Sequence, residues 1–290
     1  MTRYDGGDTD RCKEATMIQA MPGRWPNGAR CAVVLSFDVD AETLWLIADP
    51  ANAEKPGLLS MGHYGPTVGV PLLMDLLARH DLRASFFVPG WTAEQYPDMM
   101  RAIVAAGHEV GHHGWIHETP TSLTAAAERE VMERGLRAIE QTAGVRPIGY
   151  RSPSWEFSTN TLGLLAEYGF RYSSNLMDTF LPYRHPETEV IELPVQWILD
   201  DAPFFLFRPS GATRPIQTAA TALQAWQEEF AGIYEYGGLC MVTMHPQLSG
   251  RPGRVQMLER FIQYARAMPE PVWFATAAEI AEHWRAHHEA

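Results

Sequence analysis

Asp38 and Asp40, in SFDVDAE, stand two residues apart at the end of the apolar run CAVVLSF. His113 and His117 follow the short run EVGH, Arg151 follows IGY, and His245 follows CMVTM. Carboxylates and imidazoles suit metal-assisted hydrolysis. Three Asp/His side chains, with positions left open for water, are what a catalytic divalent ion requires. A single polar strand end carries little meaning. Four of them rich in Asp, His and Arg point to one converging site.

The histidine cluster admits two metal readings. His108-Glu109-Val110-Gly111-His112 matches H-E-x-x-H literally, a zinc-peptidase pattern that works only on a helix. Gly107 reads as a helix cap and Gly111 disfavours a helix, so this stretch reads as a strand running into a loop. In a strand, positions i and i+4 lie about 13 Å apart. That is too far to share a zinc ion with bonds of about 2.0–2.1 Å. The second reading pairs His113 with His117, in HGWIH, and adds a carboxylate such as Asp40. A turn after the strand would bring the two together. Histidines that merely cap a loop would have the same look, but the acidic end at Asp40 and the His245 end weigh against that.

The elements that must position these residues alternate. Apolar runs at 31–37, 84–88, 108–113, 148–150, 170–174, 190–195, 239–244 and 272–275 read as strands. Helical periodicity marks 69–80, 97–106, 124–142, 159–168, 216–236, 254–267 and 276–287. Gly65 and Gly69 suggest a loop with close backbone approach. Strand–helix alternation with buried strands implies a parallel sheet. The count favours a distorted (β/α) barrel of about seven parallel strands, in which catalytic groups gather where strands end. No G-x-G-x-x-G or G-x-x-x-x-G-K-[ST] motif is present, so dinucleotide and P-loop readings lose their main support. Residues 1–24 read as an N-terminal arm and 25–290 as a single domain.

The composition limits partners. The 290 residues carry 23 Lys+Arg against 35 Asp+Glu, a net charge of −12. That balance argues against nucleic-acid or anionic-membrane binding, which need a basic face. No apolar run approaches the roughly 20 residues of a membrane span. The polar, acidic N-terminus lacks the features of a signal peptide. Cys12, Cys31 and Cys240 are odd in number and widely spaced, which disfavours a disulfide framework. The expectation is a cytoplasmic protein.

The motifs resemble those of the polysaccharide deacetylase family. SFDVD is similar to its T-F-D-D motif, HGWIH to H-[ST]-x-x-H, RSPSW to R-x-P and MVTMHP to L-x-x-H-P. The likeness runs in family order from about residue 30 to 278. Two departures stand out: Val39 separates the aspartates, and Gly114 replaces Ser/Thr. With HPQLSGRPGR they resemble the branch of intracellular peptidoglycan-deacetylase-like proteins, cyclic imide hydrolases and allantoinase-like enzymes.

The resemblance implies a hydrolase of non-peptide carbon–nitrogen bonds on a distorted barrel. It implies a divalent metal, zinc first with cobalt, nickel or iron as alternatives, held by Asp40, His113 and His117. Asp38 would be the general base, paired with Arg151, and His245 the general acid, oriented by Asp200 or Asp201, with Asp201 preferred. Trp115, Trp155 and Tyr64 are candidates for the substrate pocket, as are Trp45 and Phe157 beside the motifs. A small cyclic imide or ureide is the first expectation for the substrate and an N-acetyl sugar polymer the second. A non-catalytic binding protein on this scaffold is a third reading, disfavoured by the intact set of groups. The branch also implies a homo-oligomer, often a homotetramer.

Overall fold

A computed structural model describes residues 25–207 and 215–287. The expected N-terminal arm 1–24, with Cys12, lies outside the described residues. Among the described residues, nine strands form one curled sheet: β1 (Cys31–Asp38), β2 (Ser85–Val88), β3 (Glu109–His112), β4 (Gly149–Tyr150), β5 (Tyr172–Ser173), β6 (Tyr183–Arg184), β7 (Ile191–Glu192), β8 (Leu239–Met244) and β9 (Val272–Phe274). The order is β6-β7-β5-β4-β3-β2-β1-β8, with β9 also on β1. All pairings are parallel except β6–β7. Beyond β7 the chain crosses to β8, where Asp200 bridges Thr243. The sheet is the expected distorted barrel.

Two-residue periodicity decides where side chains go. Every residue of β1 is buried, as a central parallel strand demands. Val33, Leu35, Phe37 and Val39 join the outer core, packed against helices such as Val70–Arg79 and Ala219–Tyr236. Ala32 and Val34 join the second core, with Tyr172, Leu193 and Met241. Ser36, Asp38 and Asp40 continue that second parity. Val39 therefore acts as a spacer that turns both aspartates to the same side, where adjacent aspartates would alternate.

The same rule sorts the histidines. Val110 packs in the outer core. His112, of like parity, reaches the helix Ala125–Ala143 and meets the Met132 carbonyl at 3.1 Å. His113 takes the other parity, toward Asp40. His108 lies at the opposite end of β3, accepting from the Ala84 N–H at 3.3 Å. Glu109 accepts from Ser85 Oγ and Tyr172 Oη at 2.6 Å each and from the Ala278 N–H at 3.0 Å. The H-E-x-x-H residues are thus scattered, as strand geometry requires.

One local expectation differs. The span around Gly65 and Gly69 is not a loop. Helix Pro56–Tyr64 passes through a π-helical turn, Gly65–Gly69, into Val70–Arg79. The close approach is there: a Cβ on Gly69 would lie 2.3 Å from the Pro246 carbonyl oxygen. Strand β6 gave no apolar run to read. Among the described residues, no helix is long and apolar enough to cross a membrane.

Candidate active site

The site lies where β1, β3, β4 and β8 end. Arg151, fully buried just after β4, reaches back across the barrel. Its Nη1 donates to Asp38 Oδ1 and to Ser36 Oγ, both at 2.8 Å, and its Nη2 donates to Ser174 Oγ at 3.0 Å. Its guanidinium lies over the Phe87 ring at 4.2 Å. A buried cation so held is fixed in place, and it fixes the Asp38 carboxylate with it.

Asp40, His113 and His117 form a compact group. His113 Nδ1 donates to the Arg151 carbonyl at 2.7 Å, which leaves Nε2 free to face Asp40 Oδ1 at 3.3 Å. His117 Nε2 lies 3.7 Å from the same oxygen. Both Asp40 carboxylate oxygens are buried without a hydrogen-bond partner among the described residues. A buried carboxylate in that condition is costly unless a cation completes it. Two imidazole nitrogens and one carboxylate, all within ligand reach of one another, suit a divalent ion. His117 adopts φ +68° and Ala41 φ +54°. Left-handed backbone at non-glycine residues concentrates at functional sites.

Charge and burial oppose each other here. Burial alone would raise the Asp40 carboxyl, but His117, His113 and His245 hold it down at about 2. Burial pushes the His117 imidazole down to about 4. His113 is raised: Asp38 and Asp40 outweigh the effect of burial. His245 is raised well above the usual imidazole range, because Asp201 and then Asp200 and Asp40 outweigh burial. Burial, aided by Asp201, pushes Asp200 up to about 7.

Asp201 and Asp200 stand differently to His245. Asp201 Oδ1 contacts Nδ1 at 2.7 Å, whereas Asp200 Oδ1 is 3.8 Å away. Asp201 Oδ2 also accepts from the His245 N–H at 2.9 Å and from Ser249 Oγ. Asp200 instead accepts from the Ala202 N–H at 2.6 Å, opening the short helix Ala202–Phe205. His245 Nε2 is left pointing into the site, 3.6 Å from Asp40 Oδ2.

A cavity of about 310 Å³ opens over these groups. Asp38, His113, His117 and His245 line it, with apolar walls from Leu44, Ile47, Trp155, Trp197 and Leu248. Trp155 and Trp197 pack against each other, tilted by 34° with ring centroids 4.3 Å apart. Trp115 and Tyr64 do not line the cavity. Trp115 is buried under the Arg134 guanidinium at 3.6 Å, and Tyr64 lies under Arg251 and donates to the Gly250 carbonyl. Trp45 and Phe157 are likewise not on its walls. Trp197, 47% exposed, is a wall residue that sequence reading missed. Its place in WILDD, three residues before Asp200, was the available signal.

The polysaccharide deacetylase family model matches residues 58–173. A peptidoglycan deacetylase of Helicobacter pylori is 33% identical over 280 residues, covering 86% of this chain and 94% of the relative. The chain belongs to the polysaccharide deacetylase family. Among solved structures, a Mycobacterium smegmatis protein assigned to the polysaccharide deacetylases superposes with a TM-score of 0.89 at 44% identity, over 94% of this chain and 96% of that one. Puue allantoinase superposes with a TM-score of 0.80 at 26% identity, over 93% and 95% of the two chains. This member of the deacetylase family is a hydrolase of carbon–nitrogen bonds other than peptide bonds. Family deacetylases depend on a metal ion, and Asp40, His113 and His117 form a group able to hold one.

Proposed function

We propose that the chain hydrolyses the amide or imide bond of a small ring-shaped substrate, with zinc as the metal at Asp40, His113 and His117. The two unpartnered oxygens of buried Asp40, beside two imidazole nitrogens, carry the metal assignment. When bound there, a divalent ion supplies Lewis acidity for a carbonyl and for water. Asp38, held by Arg151, takes the proton of the attacking water. His245 gives a proton to the departing nitrogen, which is a poor leaving group until protonated. Asp201 holds the His245 ring so that Nε2 faces the reacting centre. Arg151 keeps Asp38 oriented through two side-chain partners of its own, Ser36 and Ser174.

The small-substrate reading rests on the cavity. Its volume, about 310 Å³, is at the low end for ligand pockets, roughly 300–1,000 Å³. Apolar and aromatic walls with a few polar groups suit a flat ring. The likeness to an allantoinase adds support. A second reading, removal of an acetyl group from an amino sugar, is favoured by the 33% identity to the Helicobacter pylori peptidoglycan deacetylase. A panel of succinimide, hydantoin and allantoin against N-acetylglucosamine oligomers separates the two. Ring-opened acid is the expected product. Acetate release with no ring opening would overturn the small-ring reading in favour of deacetylation.

A further inference from the structure

The loop carrying His113 and His117 depends on supports outside the cavity. Gly114, at φ +74°, stands where the family pattern has Ser or Thr, so no hydroxyl braces the turn from that position. Other groups take up its backbone. Glu118 Oε2 accepts from the Trp115 N–H at 3.1 Å and from the Ile116 N–H at 2.8 Å. The Gly114 and Trp115 carbonyls accept from Gly90 and Trp91 N–H groups at 3.0 and 2.9 Å.

The inner side is equally tied. His112 Nδ1 accepts from the Gly114 N–H at 3.2 Å, and Nε2 donates to the Met132 carbonyl at 3.1 Å. One neutral tautomer satisfies both bonds. Gly135 makes the docking possible: a Cβ there would lie 2.3 Å from His112 Nε2 and 2.8 Å from the Gly114 oxygen. With 114–116 held in this way, the left-handed conformation of His117 is imposed by its surroundings.

We propose that Glu118 is a positioning residue for the metal site, bracing with one oxygen the turn that a hydroxyl at position 114 would otherwise support. Glu118 does not line the cavity, so it acts through the turn and not on the substrate. The inference rests on the reading of Asp40, His113 and His117 as metal ligands. Groups that orient metal ligands typically change metal affinity about 10–100-fold when removed.

The test is zinc affinity by chelator competition on the full chain, together with the melting temperature of each metal-free protein. Wild type, Glu118→Ala, Glu118→Gln and His117→Ala are compared. Glu118→Ala should bind zinc about 10–100-fold more weakly while its metal-free melting temperature stays near wild type. Glu118→Gln should return close to wild-type affinity, because one amide oxygen still accepts both N–H groups. Wild-type affinity in Glu118→Ala, or equal loss in the Gln and Ala variants, overturns the proposal. If the alanine variant does not fold, Glu118→Asp replaces it, since the shorter side chain withdraws the oxygen. A wild type that binds no zinc, or unchanged affinity in His117→Ala, would instead refute the ligand assignment.

Discussion

Asp201 grips His245 twice: Oδ1 meets the ring at Nδ1, 2.7 Å away, and Oδ2 takes the backbone N–H of the same residue at 2.9 Å. Ring and backbone are therefore fixed by one carboxylate, and only Nε2 remains for chemistry. Asp201→Asn keeps the shape but presents an amide that can turn its NH₂ to the ring and favour the wrong tautomer. Its kcat should fall on the order of 10²-fold or more, the usual worth of a general acid, with KM little changed. Steady-state kinetics check this; an unchanged kcat would remove His245 and Asp201 from the proposed proton transfer.

Asp38 and Arg151 share the barrel interior at 2.8 Å. Asp38→Asn removes the proposed base and leaves a fully buried guanidinium without its counter-charge. Losing one partner of such a pair costs about 3–5 kcal/mol. The variant should therefore melt lower and turn over orders of magnitude more slowly, while still binding zinc. Calorimetry, kinetics and metal analysis on the one variant separate these effects.

Asp200 offers a test through pH. Burial, then the neighbouring Asp201, raises its folded pKa to about 7, against about 3.9 for an unperturbed Asp. Between these values the folded state binds more protons than the unfolded state, so this group makes stability fall as pH rises from about 4 to about 7. Asp200→Asn retains an acceptor for the Ala202 N–H and removes that slope. In metal-free protein its advantage in melting temperature should be absent near pH 4 and at its full value above pH 7. Thermal melts across that range measure it, and a constant offset would contradict the assignment.

Trp197 is 47% exposed yet packs at a tilt on Trp155 at the cavity. Trp197→Ala should raise KM for the true substrate several-fold or more with a small change in stability, since an aromatic pair is worth about 0.5–1.5 kcal/mol beyond its burial. Competing substrates should be affected unequally: a flat ring loses its stacking face, whereas an acetyl group reaching the metal loses less. The ratio of kcat/KM values across the substrate panel is the readout.

The framework was legible where physics leaves long signals. CAVVLSF and LCMVTM are continuous apolar runs because β1 and β8 are buried on both faces. The helix at 125–143 announced itself by periodicity, and Thr124 caps it through a bond to the Ala127 N–H. Strand β6 was not legible. Tyr183–Arg184 is two residues long, antiparallel and at the sheet edge, so no burial pattern marks it. The helix before Val70 was hidden by Pro56, Pro66 and the glycines around a π-helical turn.

For the site, strand ends pointed to Asp38, Asp40, His113, Arg151 and His245, because alternation along a strand carries through to its last residue. The walls were harder. Trp115 sits in HGWIH beside two ligand candidates, yet its ring packs away from the cavity beneath Arg134. Trp197 comes from a crossing segment whose path depends on the closure of the barrel through Asp200 and Thr243. Long-range closure leaves no local pattern to read.

Whether hydrolysis depends on a metal at Asp40, His113 and His117 is decided by one titration. The chain is stripped with EDTA, and turnover of the best panel substrate is followed as zinc is added back. Negligible turnover is expected in the stripped protein, with full recovery at one zinc per chain and none in His113→Ala. Full turnover in stripped protein with no detectable metal, or recovery in His113→Ala equal to wild type, would refute metal dependence at these residues.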